Sequence, residues 1–369
     1  MKLNTDNNNR ILIRNGTVWD GNALYKSDIL ICGGIIAKIS KSIDESADFC
    51  FDAENMIVSA GLTDFHTHIR GISSEHIGID YEKISYPFGV MHLIDASAEI
   101  GDINNILKSN IDISVLARVH IFGNKADFSL TEEILEKYSD KVIGLKVYLD
   151  TTFTEVTDAR PLAEICEYAR KRNLFVTVHT SNSPISMLEI VNTLSKGDII
   201  SHAFHGGNNN AAENDFIALK TAKAKGVLLD GAFSVGYHID YSIFKDAVSK
   251  GFLPDIISTD ITKEQEYIGS ERYGLTVCMS IAEKLGMTLQ EVLTAVTCNP
   301  ARLIKNPNNQ GYLKIGEKAE IAVIKREAKN LEISDTQNNN IYLNNVFNCV
   351  LSVNGNKVRY IDKELCYKI

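Results

Sequence analysis

The sequence predicts an α/β fold, a (β/α)8 barrel carrying a small composite β-sandwich domain formed from both chain ends. Three observations predict it. In the centre of the chain, eight short apolar segments alternate with amphipathic helical stretches, which is the count and size of a closed parallel barrel. Both ends outside that centre are rich in short β runs and tight turns. No G-x-G-x-x-G turn, the mark of a dinucleotide-binding open sheet, occurs anywhere in the chain. We therefore expect residues 1–59 and 311–369 to form the small domain and residues 60–310 the barrel.

The chain opens on a polar, Asn-rich stretch from Met1 to Arg10, without the apolar run that a signal peptide or membrane helix requires. A cytoplasmic protein is the expectation. Short β runs follow at Ile11 to Ile13, Ile29 to Cys32 and Ile35 to Ile39, the last two joined by Gly33-Gly34, which reads as a hairpin turn. No helix-period segment interrupts them before Val58.

The barrel strands are expected at Leu62 to Phe65, Gly89 to Asp95, Ile113 to Ile121, Val142 to Tyr148, Leu174 to Val178, Asp198 to Ser201, Gly226 to Asp230 and Ile256 to Thr259. Most are apolar throughout, as strands covered on both faces should be. Between them the period changes to 3.6 residues. Leu162, Ile165, Cys166 and Ala169 form one apolar stripe, with Glu164, Glu167 and Arg170 to Arg172 largely outside it, and Pro161 suits the first turn of that helix.

Beyond Gly311 the pattern returns to β runs at Ile321 to Ile324 and Val350 to Val353, with Asn354-Gly355 as a hairpin signal before Lys357 to Ile361. Asn-rich patches at Asn7 to Asn9, Asn208 to Asn210 and Asn338 to Asn340 read as loops by composition.

Composition narrows the function classes. A chain of 369 residues with 44% hydrophobic content can bury a large core. A net charge of -9 gives no electrostatic reason to bind nucleic acid or an anionic membrane, so the expected partner is a small molecule. The seven cysteines are scattered, odd in number and never in a C-x-x-C pair, which suits free thiols in a reducing compartment.

In a barrel of this kind the working residues sit at the C-terminal ends of the strands. Strand one ends in Asp64-Phe65-His66-Thr67-His68, whose i, i+2 spacing places both imidazoles on one side of an extended chain. Strand four carries Lys146, strand five ends at His179, strand six at His202 and strand eight at Asp260. Any one of them has an ordinary structural reading: a hydrogen-bonded histidine, a lysine paired to Asp150 or Asp260, an aspartate capping a turn. Four histidines, a lysine and an aspartate at six such positions together point to a metal site.

The set resembles the amidohydrolase superfamily, which includes dihydroorotases, hydantoinases and deacetylases. Three stretches look closest to a deacetylase-like branch near the dihydroorotases: Gly61 to His68, Gly197 to His202, and Leu253 to Asp260. The Thr-Cys-Asn-Pro-Ala of Thr297 to Ala301 is similar to a segment these proteins carry after strand eight. The resemblance implies two divalent metal ions, with zinc best suited to the imidazole and carboxylate ligands. It places His66, His68 and Asp260 on one ion, His179 and His202 on the other, and Lys146 on both after carbon dioxide has converted its amine to a carbamate. A metal-bridging hydroxide would be the nucleophile and Asp260 the catalytic proton carrier.

Arg70, just after the histidine pair, matches the spacing at which dihydroorotases grip a substrate carboxylate, although Gly71-Ile72-Ser73 departs from their pattern. Its other reading is a salt bridge to Glu75 or Asp80. His205, in His205-Gly206-Gly207-Asn208, is a candidate substrate contact or part of a solvated loop. After strand seven, deacetylase-like relatives tend to have a Gly-His-Gly turn where this chain has Ala232-Phe233-Ser234, with His238 four residues further on. The expected reaction is hydrolysis of an N-acyl amide or related ester. The alternatives are a cyclic amide hydrolase of dihydroorotase or hydantoinase type and a catalytically silent barrel serving as an assembly partner. Relatives of this kind are often homo-oligomers, which is the expectation here.

Overall fold

The computed structural model describes residues 10–70, 77–100, 103, 106–304 and 310–363. The patch Asn7 to Asn9, the Gly71-Ile72-Ser73 stretch, Glu75 and Cys366 lie outside them. The strands in chain order are β1 (Arg10–Trp19), β2 (Leu24–Cys32), β3 (Ile35–Ser40), β4 (Phe49–Asp52), β5 (Ile57–Ala60), β6 (Leu62–Thr67), β7 (Val90–Ala98), β8 (Asp112–Phe122), β9 (Lys125–Asp127), β10 (Val142–Tyr148), β11 (Phe175–His179), β12 (Ile199–Ser201), β13 (Leu228–Leu229), β14 (Tyr267–Ile268), β15 (Glu271–Arg272), β16 (Glu320–Ser334), β17 (Asn340–Asn354) and β18 (Lys357–Ile361).

The central strands pair in the order β6-β7-β8-β10-β11-β12-β13, all parallel. The eighth place is filled differently from the expectation. Residues 256–261 form no continuous ladder but attach by single parallel bridges, Ile256 to Asp230 and Ile261 to Thr67, one to each edge of the curled sheet. Their carbonyls are taken instead by the loop after β13, where the amides of Gly231, Phe233 and Ser234 bond Ile256, Ser258 and Thr259. The arrangement fits a (β/α)8 barrel.

Phe65, Ile94, Ala96, Leu116, Ile199 and Ile256 pack together as one apolar cluster of the barrel, with Phe175 and Ile143 against it. That filling makes the ring a packed core with its chemistry at one end. Gly144 on β10 is needed there, because a Cβ would stand 2.5 Å from the Phe175 ring. The helix expected around Leu162 runs Arg160–Arg170 with Pro161 in its first turn and buries Leu162, Ile165, Cys166 and Ala169.

Strands from both chain ends share a second sheet, β18-β17-β16-β5-β1-β2-β3, with β4 paired to β1. It has its own apolar cluster, from Ile11, Ile29 and Val58 to Ile321, Leu351 and Val353. The Gly33-Gly34 turn joins β2 and β3 as expected, with Cys32 opposite Ile35. In the last hairpin Asn354 pairs with Lys357, so the turn residues are Gly355 and Asn356, one place beyond the expected pair. Strand β16 runs to fifteen residues, against the four expected, because its second half alternates buried and exposed positions along β17.

Six cysteines among the described residues are free thiols. No described helix is long and apolar enough to cross a membrane.

Candidate metal centre

The barrel brings His66, His68, Lys146, His179, His202 and Asp260 to one place at the C-terminal ends of its strands, all almost fully buried. Strict alternation along β6 could not send both Phe65 to the interior cluster and His66 toward the site. A register shift between Asp64 and Thr67 allows both.

His66 Nε2 and His68 Nε2 stand 3.2 and 3.1 Å from the same Asp260 oxygen, Oδ1. Ligands bound at about 2.1 Å to one ion are separated by about 3 to 3.5 Å, so this spacing is that of a ligand set. The far side of His66 is held by Asp230, at 3.3 Å from Nδ1, leaving Nε2 aimed at the centre. Asp230 is itself fixed by Ser258 Oγ at 2.6 Å and by the Ala232 amide at 3.1 Å.

On the other side, the His179 and His202 rings are 4.5 Å apart. His202 Nδ1 donates to the Ala232 carbonyl at 3.0 Å, so Nε2 carries the lone pair, and that buried atom has no hydrogen-bond partner. His179 Nε2 lies 3.3 Å from Asp150 Oδ2 and 2.6 Å from Ser181 Oγ.

Lys146 is fully buried between the two groups. Its Nζ reaches His66 Nε2 at 3.2 Å and Ser201 Oγ at 3.4 Å, and among the described residues it forms no ion pair. Neither Asp150 nor Asp260, the structural partners considered from sequence, bonds it.

Electrostatics follow the burial. Desolvation lowers the Lys146 amine to about 8 against the opposing pull of Asp260 and Asp230. Burial lowers the imidazoles of His66, His179 and His202, with His179 at about 3, so all three are neutral and able to ligate near pH 7. Burial alone would raise the Asp260 carboxyl, but His66, His68 and His238 hold it well below the usual carboxylate range.

The backbone is strained here. His202 and Asp260 take positive φ, 57° and 50°, as do Ala232 and Ser234 at 37° and 34°. Those last two are the outer positions of the turn where deacetylase-like relatives tend to have Gly-His-Gly. The conformation that glycine adopts without cost is therefore kept by residues that pay for a Cβ. The residue between them, Phe233, is buried against Phe244.

Sequence reasoning missed two participants. His238, noted only as lying beyond that turn, brings its ring within 4.1 Å of His202 and 5.2 Å of His179, with Nε2 3.7 Å from Asp260 Oδ2. His179, His202 and His238 thus form a second three-residue group that could hold a metal, beside His66, His68 and Asp260. Asp230 is the other; its place at the end of strand seven was the available signal.

The two substrate candidates fall out differently. Arg70 is half exposed and its Nη1 lies 3.6 Å from Asp80 Oδ1, the salt-bridge partner weighed from sequence. His205 is not in a solvated loop: it is buried, bridges Ile239, accepts from the Gly207 amide at 3.2 Å and has an unpartnered Nε2. Burial lowers its imidazole to about 4.

Comparison with known proteins identifies the family. The model of the amidohydrolase family matches residues 57–353. A deacetylase of Brucella anthropi is 26% identical over 346 residues, covering 87% of this chain and 85% of the relative. A deacetylase of Enterococcus faecalis is 26% identical over 355 residues, covering 88% of this chain and 92% of the relative. Among solved structures, a dihydroorotase superposes with a TM-score of 0.84 at 23% identity, covering 95% of this chain and 99% of that one, which speaks to the fold alone.

Proposed function

Because the chain belongs to the amidohydrolase family, we propose that it is a metal-dependent hydrolase that cleaves the C–N bond of a small N-acylated amide, a deacetylase-type reaction. The observation that carries this reading is the convergence of six buried donors with the His202 Nε2 lone pair left orphaned among them. Buried polar atoms without partners are rare unless a ligand satisfies them. The near full-length match to deacetylases favours an acyclic amide over a ring.

His66, His68 and Asp260 would hold one divalent ion and His179 and His202 the other, with His238 placed beside the second. Zinc suits this donor set best. When bound, the ions supply a nucleophilic oxygen at neutral pH and polarise the scissile carbonyl. Asp260 accepts the proton of the attacking water and delivers it to the leaving nitrogen. Asp230 holds the His66 ring so that Nε2 faces inward, and the Ala232 carbonyl does the same for His202.

Lys146, as a carbamate, would supply an anionic ligand between the two ions. The Nζ lone pair would form an N–C bond with carbon dioxide while one C=O π pair moves onto its oxygen and the displaced amine proton passes to water, leaving an anion with two oxygens. A buried lysine with no carboxylate bonded to it supports this reading, since the uncharged amine is the form that reacts. We also read residues 1–59 with 311–369 as one small β-sandwich domain beside a 60–310 barrel, supported by their separate apolar cluster.

The test combines metal content with Lys146→Ala. Protein grown with zinc should carry about two ions per chain and hydrolyse N-acyl amides. The variant should lose both properties and regain some of each with a short carboxylic acid. A wild-type protein without metal, or a fully active variant, refutes the assignment. Turnover of dihydroorotate in place of N-acyl amides would instead establish the cyclic reaction.

A further inference from the structure

A cavity opens beside the candidate metal centre. It occupies about 390 Å³ at the ends of β8 and β10 and is lined by Arg118, His120, Tyr148, Thr152, Phe153 and Glu155. Arg118 pairs in register with Lys146 on the neighbouring strand, so the two side chains leave the sheet on the same face. Tyr148 and Phe153 join the cavity to the site: their rings lie 5.0 and 6.3 Å from that of His179.

The Arg118 guanidinium faces this space with most of its donors unused. Its one ion-pair contact among the described residues is Nη1 to Glu99 Oε1 at 3.5 Å, and its carbon sits 5.1 Å from the centre of the Tyr148 ring. His120 also faces Glu99, at 3.6 Å, so that carboxylate is shared. The side chain is 28% exposed. A planar cation stacked on an aromatic ring, with free N–H groups directed into a cavity next to a hydrolytic centre, is built to bind a carboxylate.

We propose that Arg118, and not Arg70, binds the carboxylate of an N-acyl amino acid whose side chain lies against Tyr148 and Phe153. This rests on the hydrolase reading above and names its substrate class. Each arginine meets one carboxylate, so what separates them is position: Arg70 is half exposed, whereas Arg118 is the more buried of the two, lines the cavity and stands in register with Lys146.

The experiment compares an N-acetyl aromatic amino acid with its neutral carboxamide, using the metal-loaded enzyme. Wild type should prefer the acid. Arg118→Gln should lower kcat/KM for the acid by about 10- to 100-fold, the scale of one charge-assisted contact, and leave the carboxamide within about twofold. Arg118→Lys, which keeps the charge but not the fork, should fall between, and unchanged metal content shows that the variants are folded. Equal losses on both substrates, or a selective loss on the acid in Arg70→Met instead, overturns the proposal. If the loaded enzyme cleaves neither compound, the hydrolase reading fails on its own. Direct calorimetric binding of the same acid then decides, with loss of binding in Arg118→Gln expected and equal affinity of wild type and variant overturning it.

Discussion

At the scale of the residue, Asp260 is held by backbone and side chain together. Its amide bonds the His66 carbonyl at 2.8 Å, its φ is 50°, and its carboxylate lies within 4 Å of four imidazoles, those of His66, His68, His202 and His238. Asp260→Asn keeps the size and one acceptor oxygen but cannot take up the proton. We expect turnover to fall by about two orders of magnitude or more while much of the metal is retained; metal analysis alongside kcat checks both halves, and near wild-type turnover would remove Asp260 from proton transfer. His66, His68, Lys146, His179, His202 and Asp260 were all legible in the sequence because a strand-end position is a local property. His238 was not legible as a member, since it lies on a loop whose path no periodicity describes. Asp64 belongs with it: quoted only as part of a motif, it binds Thr259 through both the amide and the hydroxyl, at 3.0 and 2.7 Å, and tethers strand one to the eighth segment.

At the scale of the element, helix ends support the site from outside. The helix Leu289–Val296 begins with a reciprocal cap: Thr288 accepts from the Glu291 amide at 3.3 Å and Glu291 accepts from the Thr288 amide at 2.8 Å. The next helix, Cys298–Ile304, carries Asn299, whose side-chain amide donates to the Asp255 carbonyl at 2.8 Å just before the eighth segment. Thr288→Ala removes one partner of an exposed cap that contributes no residue to the candidate site. It should cost about 1 kcal/mol of stability and leave kcat unchanged; denaturant unfolding reads the first and an assay the second. A loss of activity would mean that this helix positions the eighth segment. Most barrel strands were expected within a few residues of where they lie, because a doubly covered strand is an apolar run. The eighth failed as a strand because its backbone groups are claimed by a loop, a competition that residue pattern does not record.

At the scale of the whole molecule, burial couples stability to pH. His92 lies on β7, belongs to neither candidate metal group, is 5% exposed and meets Ser114 Oγ at 2.9 Å. Burial lowers its imidazole from the ordinary 6.5 to about 4, with Asp112 opposing. The unfolded chain therefore takes up a proton near pH 6.5 that the folded chain refuses until about pH 4. Stability from this group is complete above pH 6.5, declines as the pH falls between those values and levels off below, for a total of about 3 kcal/mol. His92→Gln does not titrate, so its stability should fall less steeply over that interval in unfolding experiments at stepped pH. Parallel curves for the two proteins would show that His92 is not responsible.

The sequence by itself determined the class of fold, most of the barrel strands and six polar residues at strand ends that the structure brings together, because each depends on a run of neighbours: apolar strands, amphipathic helices, polar residues at strand ends. It also determined the composite end sheet in outline, since turn signals such as Gly33-Gly34 are local. Only the tertiary structure decided which side chains meet. Asp230 and His66 are 164 residues apart and Thr259 and Asp64 are 195 apart; closing the ring brings each pair together. Register placed Arg118 beside Lys146, a loop carried His238 to His179 and His202, and a nearby carboxylate took up Arg70. The physical reason is that periodicity assigns a residue to a face, whereas contact depends on strand register, ring closure and loop path, which are fixed by packing across the whole chain.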